Sequence, residues 1–252
     1  MDKDKRLVFD TIPEKFDKWR VHYDPQLFEY IIKATGLGPG KSCLEIGPGT
    51  GQASDFAIKS GCDYLAIELG MHLTDKMREK YSSYPNFHIV NADFETYDFG
   101  GKKFDLIFSA AAIQWIKEDV AYTRVHDLLT PGGYLAMCLM VSDYQSENPE
   151  LFDEIQQVYD KYFVTNQPYD RHFDYRNGEK YGLTFMENRS WPGRREYTAD
   201  EHNEYLGTHS THIALKEECR EPFFDGVRDA VLRHGDKIVF NDKYVLYLYK
   251  KA

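Results

Sequence analysis

The sequence predicts a doubly wound α/β fold built on a mostly parallel sheet, and two observations carry that prediction. Strand-like apolar runs alternate with helix-like patterns from residue 42 to 140, the signature of βαβ units with right-handed crossovers. The first apolar run ends in Glu45 and breaks into Gly47, Gly49 and Gly51, one glycine at every second position. A turn that sharp, lying close to a bound ligand, leaves no room for a Cβ.

Taken in order, residues 1–12 read as a mobile start. The stretch 16–25 mixes aromatic and charged residues, and Leu27, Phe28, Ile31 and Ile32 have helical spacing. A strand over 42–46 leads to a helix over 51–60. A strand over 64–68 leads to a helix over 72–81. A strand over 87–91 is followed by a loop, and a strand over 104–109 by a helix over 117–129. A turn at 130–133, containing Pro131, Gly132 and Gly133, feeds a strand over 134–140. Beyond 141 the character changes: helical patches run to Phe163, then a polar, aromatic run covers 166–180. A strand over 184–191, a turn at Pro192 and Gly193, and a helix opened by a Thr198–Glu201 capping box come next. A helix over 215–233 precedes two closing strand-like pieces, 237–240 and 243–249. The domains expected are an N-terminal helical cover (1–40), a ligand-binding α/β core (41–140), an inserted helical cap (141–182) and a C-terminal completion of the sheet with acceptor-site helices (183–252).

Composition narrows the function. The chain has 252 residues, enough for a substantial core, and 42% of them are hydrophobic. No apolar run is long enough for a membrane span, and Met1 to Arg6 lacks the apolar core of a signal peptide. Cys43, Cys62, Cys138 and Cys219 are scattered, which reads as free thiols in a reducing cytoplasm. A net charge of −10 disfavours a phosphate backbone as partner, so no nucleic acid is expected. A monomer or homodimer acting on a small molecule fits better.

The chemistry-bearing positions fall at strand ends. A dinucleotide turn wants Gly-x-Gly-x-x-Gly, but Gln52 stands where the third glycine belongs. Glu45 would repel a pyrophosphate, yet it can accept bonds from the ammonium of an amino-acid ligand. Glu68 ends the second strand and suits two vicinal ribose hydroxyls; a solvated strand-end acid is the plainer reading. Leu69 suits an adenine face. Asp93 suits the adenine amino group with Phe94 beside the ring, or else caps a turn. Ser109 and the alanines after it leave room for a small chain. Gln114 and Trp115 point toward an acceptor, although Trp115 also reads as packing. Some of Thr208, His209, Ser210 and His212 read as acceptor-pocket groups, or else as surface or packing residues, and no metal is expected because no Cys or carboxylate cluster joins the histidines.

Together, Glu45 to Gly51, Glu68, Ala92-Asp93 and Ser109 to Trp115 followed by Pro131-Gly132-Gly133 resemble the class I S-adenosylmethionine (SAM)-dependent methyltransferases. The resemblance is to the bacterial small-molecule group similar to trans-aconitate methyltransferase and the type 11 proteins. It covers 41–140, with looser matches at Trp19-Arg20…Tyr23 and Tyr197-Thr198…Thr208-His209-Ser210. It implies a Rossmann-like sheet of seven strands, the last antiparallel, SAM as cofactor, and Arg20 and Tyr23 closing the cofactor site. Gln114 departs from the pattern, since related sequences often carry His before the Trp.

The implied reaction is in-line displacement, in which an acceptor attacks the SAM methyl and S-adenosylhomocysteine (SAH) leaves. Orientation then supplies most of the catalysis. A carboxylate acceptor needs no base. A hydroxyl or amine needs one, for which His22, His209 and His212 are candidates, and Arg20, Arg171 and Arg176 can anchor an anion. The rival readings are a non-catalytic SAM- or SAH-binding protein and, disfavoured by Glu45 and Gln52, a nicotinamide-dependent oxidoreductase.

Overall fold

The computed structural model describes residues 4–165 and 173–252; Arg171 and residues 166–172 of the polar run lie outside them. A 3₁₀ helix, Lys5–Thr11, comes first, then α1 (Pro13–Trp19), α2 (Pro25–Thr35) and β1 (Ser42–Ile46). There follow α3 (Asp55–Lys59), β2 (Asp63–Glu68), α4 (Met71–Tyr81), β3 (Phe87–Asn91), β4 (Phe104–Ala110), α5 (Glu118–Leu128) and β5 (Leu129–Asp143). The chain ends with α6 (Pro149–Tyr162), β6 (Leu183–Tyr197), α7 (Ala199–Leu206), α8 (Ser210–Ile213), α9 (Glu217–Arg233) and β7 (Ile238–Lys251).

The strands form one seven-stranded sheet in the order β3-β2-β1-β4-β5-β7-β6. The pairs β2–β3, β1–β2, β1–β4 and β4–β5 are parallel. Strand order reverses at β1, between β2 and β4, and ligands of such sheets bind beyond the strand ends at that reversal. The turn after β1 is the glycine turn.

The chain divides into two compact units: residues 21–140, 171–191 and 244–252 form a sheet unit, and 1–20, 141–170 and 192–243 a helical unit. In the sheet unit, alternate strand residues bury opposite faces. Cys43, Tyr64, Leu106 and Leu246 pack one face with Leu27, Phe28 and Ile31 of α2 and Ala57 and Ile58 of α3. Leu44, Ile107, Leu135 and Tyr249 pack the other with Tyr122 and Val125 of α5. In the helical unit, α9 buries Phe223, Val227, Ala230 and Val231 and packs on α6 and α7. The stripe at i, i+4, i+7 and i+8 is one helical face. The capping box forms as expected: Thr198 accepts the Glu201 amide and Glu201 accepts the Thr198 amide.

Several boundaries differ from expectation. The start is a 3₁₀ turn capped by Asp4, whose carboxylate accepts the Arg6 amide at 2.9 Å. Helix α3 covers only Asp55–Lys59, because Gly51 at φ +94° keeps the chain in turns through Ser54. The 130–133 turn lies inside β5 as an irregularity: Phe104 pairs with Leu129 and Leu106 with Tyr134, so the intervening residues loop out, with Gly132 at φ +77°. Pro192 and Gly193 make no turn and lie within β6. That strand is the last in the sheet, where a missing N–H costs no ladder bond. Strand β7 is continuous through Asn241 and Asp242, where two separate strand-like pieces, 237–240 and 243–249, were expected.

Candidate functional site

All three turn glycines adopt the left-handed region, with φ +66° at Gly47, +61° at Gly49 and +94° at Gly51. Gly47 also has no lateral room, since a Cβ there would stand 2.5 Å from the Ala112 Cβ. The turn is held from below. The Gly47 amide donates to Ile67 O at 2.9 Å, and the Gly49 amide to Glu68 Oε2 at 3.1 Å. The other oxygen of Glu68 accepts the Gly70 amide at 2.8 Å. Glu68, 7% exposed, therefore ties the end of β2 to the glycine turn. Gln52 folds back on Thr50, donating to its hydroxyl at 2.6 Å.

Glu45 is 1% exposed and points into the α3 side of the sheet. Its Oε2 accepts Ser54 Oγ at 2.7 Å and the Tyr64 hydroxyl, and its Oε1 is buried without a partner. Burial pushes its carboxyl up to about 7 against the opposing pull of those two hydroxyls, and the Glu68 charge adds to the rise. An orphaned carboxylate oxygen beside a second carboxylate favours a cationic ligand and disfavours a pyrophosphate. SAM, with an ammonium that donates and a sulfonium, fits that set of acceptors.

The loop after β4 forms the adjoining wall. Ser109, fully buried, donates to Ile46 O at 2.9 Å and accepts the Ile113 amide at 3.0 Å, so it links β1 to this loop. Ala111 sits at φ +53°, rare for a residue with a Cβ. Such strain concentrates at functional sites. Gln114 donates to Ala111 O at 2.8 Å and accepts the Tyr175 hydroxyl at 2.9 Å, while Trp115 is half-buried. Sequence reasoning missed Ala111, Tyr175, Ser54 and Tyr64. Only the small-residue run at 110–112 hinted at the first; the others are remote in sequence or ordinary in type.

Asp93 accepts the Glu95 amide at 2.9 Å, as a turn cap does. Phe94 is buried with Phe99, and the Arg124 guanidinium lies 5.4 Å over its ring. Leu69 is half-buried. The Tyr23 ring packs 6.0 Å from Phe28 and 5.9 Å from Tyr244.

Within the helical unit, Arg20 donates to Thr208 O at 3.3 Å. His209 Nδ1 lies 3.2 Å from Leu206 O; a carbonyl only accepts, so Nδ1 carries the proton and Nε2 keeps a lone pair. Burial, helped by the Arg20 charge, holds His209 well below the usual imidazole range. The His209 and His212 rings stand 5.5 Å apart. His212 Nε2 meets the Tyr159 hydroxyl at 2.7 Å, and burial lowers this imidazole to about 4. His202 is lowered to about 3 by burial. No group of His, Cys, Asp or Glu suited to a metal exists among the described residues, and none of their helices is long and apolar enough to cross a membrane.

A sheet of this order with an acid-flanked glycine turn at its reversal defines the Rossmann-like class I methyltransferase fold. The chain overlays a protein assigned as a type II methyltransferase from Anaeromyxobacter dehalogenans with a TM-score of 0.66 and 17% identity, covering 92% of this chain and 97% of that one. It overlays coclaurine N-methyltransferase bound to N-methylheliamine and SAH with a TM-score of 0.55 and 12% identity, covering 90% and 72%. At such identities the likeness is one of fold. Residues 44–137 match the family Methyltransf_11, described as a methyltransferase domain. The chain is 26% identical over 147 residues to malonyl-[acyl-carrier protein] O-methyltransferase of Marinomonas sp. (strain MWYL1), covering 57% of this chain and 53% of the relative. It is 32% identical over 77 residues to ribosomal RNA small subunit methyltransferase A of Hahella chejuensis (strain KCTC 2396), covering 31% and 28%. The chain thus spans about half the length of the first relative and less than a third of the second. The family match, to a methyltransferase domain, is confined to residues 44–137, the α/β core of the sheet unit.

Proposed function

We propose that this protein transfers the methyl group of SAM to a small-molecule acceptor bearing a carboxylate, hydroxyl or amine. One observation carries the reading: the buried carboxylates Glu45 and Glu68 sit at the ends of β1 and β2, around a turn that only glycine can form. In this reading Glu45 Oε1 takes the cofactor ammonium and the Glu68 carboxylate, at the end of β2, takes the ribose hydroxyls. Asp93 takes the adenine amino group, with Leu69 and Phe94 bordering the ring. Gly47, Gly49, Gly51, Gln52 and Ser109, all of the sheet unit, shape the methionine end.

When bound, SAM supplies an electrophilic methyl on a sulfonium, so the chain's task is to align the acceptor and exclude water. Tyr23, Gln114 and Trp115 are the proposed acceptor-side groups of the sheet unit, and His209 and His212 the candidates within the helical unit. His209 has the clearest chemistry: its fixed tautomer offers Nε2 to a hydroxyl or amine proton. The relative named malonyl-[acyl-carrier protein] O-methyltransferase makes a carboxylate acceptor equally suitable, and that acceptor needs no base. The net charge of −10 speaks against ribosomal RNA as acceptor despite the shorter match.

The first test is a thermal-shift comparison of SAM, SAH and NAD. At 100 times its dissociation constant a ligand adds about 2.7 kcal/mol, roughly 5–11 °C for a chain of this size. A shift with SAM and SAH but not NAD is expected; a shift with NAD alone would overturn the reading. Labelled SAM is then offered with a metabolite pool or with small-subunit ribosomal RNA. Label in the RNA alone would replace the small-molecule acceptor. A thermal shift without transfer to either would make the protein a non-catalytic binder.

A further inference from the structure

Strand β3 ends the sheet, and its outer edge carries a groove. The strand pairs with β2 on one side, Tyr64 with Phe87 through Glu68 with Asn91, and among the described residues no strand follows it on the other. Edge strands usually carry Lys, Pro or a bulge that blocks further pairing. The sequence Phe87-His88-Ile89-Val90-Asn91 carries none of these and pairs with β2 in unbroken register. Its apolar residues are all only half-buried.

A groove of about 530 Å³ runs along this edge and touches four consecutive strand residues, Phe87 to Val90. Phe87 and Ile89 belong to one face of the sheet and Val90 to the other, so the groove crosses the edge itself. One wall is the last turn of α4, with Arg78 and Ser82; the other is the 97–102 loop, with Tyr97, Phe99 and Lys102. A strand edge lying open between a helix and a loop is the geometry in which an extended peptide adds to a sheet.

Charge selects the occupant. The chain carries 41 acidic against 31 basic residues, yet the residues lining this groove include Arg78, His88 and Lys102 and no carboxylate. Arg78 pairs with Asp75 at 2.9 Å, yet its side chain is 51% exposed and lines the groove. A second copy fits poorly. Pairing β3 with itself across a two-fold axis would set Arg78 and Lys102 of two copies against each other, and like charges across an interface are costly.

We propose that the β3 edge is a docking site for an extended acidic peptide segment of a partner protein, which adds a strand beside Phe87–Asn91 and places its carboxylates near Arg78 and Lys102. This inference does not depend on the acceptor or on the methyl-transfer reading.

The experiment uses the full chain and three fluorescein-labelled hexapeptides, read by fluorescence anisotropy. One repeats Glu-Val, one repeats Lys-Val, and one repeats Glu-Pro, which keeps the charge but lacks alternate N–H groups. The Glu-Val peptide is expected to bind saturably, more weakly as salt screens the charges. The other two should bind at least tenfold more weakly, and hydrogen exchange at 87–91 should slow in the Glu-Val complex. The double variant Arg78→Glu/Lys102→Glu should reverse the preference between the Glu-Val and Lys-Val peptides while keeping the SAM thermal shift, since neither residue belongs to the cofactor set. No saturable binding up to ~1 mM overturns the proposal. So does equal binding of the Glu-Val and Lys-Val peptides. Equal binding of the Glu-Pro peptide would reduce the site to anion adsorption. Concentration-dependent dimers that protect 87–91 would give the edge to a second copy.

Discussion

Gly47 and Glu68 carry the turn between them, one by having no side chain and the other by the reach of its own. A methyl group at position 47 meets Ala112 at 2.5 Å and strains the backbone at φ +66°. Left-handed strain costs about 1–2 kcal/mol and overpacking about 1–3 kcal/mol. Gly47→Ala is therefore expected to lower the melting temperature by at least ~4 °C, measured by calorimetry. An unchanged melting temperature would mean that the 110–112 loop yields freely. Glu68→Ala strands the Gly49 and Gly70 amides and removes the proposed ribose acceptor. SAM affinity should fall by about 1.5–3 kcal/mol, roughly 10- to 150-fold, by isothermal titration. Unchanged affinity would take Glu68 out of the cofactor site and leave it as a strut.

Among the elements, the outer strands carry polar work unrelated to sheet pairing. Arg195, on β6, forms a two-pronged ion pair with Asp242 on β7, with Nη2 to Oδ1 at 2.9 Å. The Asp242 side chain is fully buried, and Ser142 donates to it at 2.6 Å. The guanidinium lies 4.8 Å from the Tyr205 ring centre and 5.0 Å from that of Phe240. Removing one partner leaves a charge desolvated among aromatic rings. Asp242→Ala should cost about 3–5 kcal/mol in urea unfolding, whereas Arg195→Met/Asp242→Leu should cost much less, because no lone charge remains. Equal losses would show that packing, not charge, dominates there. The same pair explains the continuous β7: Asn241 and Asp242 read as a break by type, but Asp242 has a buried cation to meet.

Over the whole molecule, buried titratable groups give stability an uneven pH dependence. His202 and His212 titrate at about 3 and about 4, below the ordinary 6.5, so the unfolded chain binds more protons below 6.5. Their effect is a loss of stability as pH falls from 6.5 toward 4, with none above 6.5. Glu45 has the opposite sign. Its folded value of about 7 exceeds the ordinary 4.5, so stability declines as pH rises through that window. Glu45→Gln should therefore be at least as stable as the parent at pH 8 yet bind SAM more weakly, and His212→Gln should flatten the loss between pH 6.5 and 4. Urea midpoints against pH, with SAM titrations at pH 8, check both. If Glu45→Gln kept its SAM affinity, the buried acid would be a structural partner of Ser54 and Tyr64 alone.

The βαβ alternation, the strand bounds of β1 and β3, the glycine turn and the Thr198 capping box were legible in the sequence, because each rests on periodicity or on the conformational limits of residues a few positions apart. The same locality let a short string, Glu45 to Gly51, announce the fold and the cofactor class. What the tertiary structure alone decided depends on neighbours distant in sequence. Pro192 lies in a strand because that strand is the sheet's edge. Glu45 turns toward Ser54 and Tyr64 because strand alternation points it under α3. Phe94 is buried against Phe99 because β3 leads straight into the second core, and Glu68 reaches back to Gly49 because β2 runs beside β1. Local rules name which groups are present; only long-range packing chooses which of them meet.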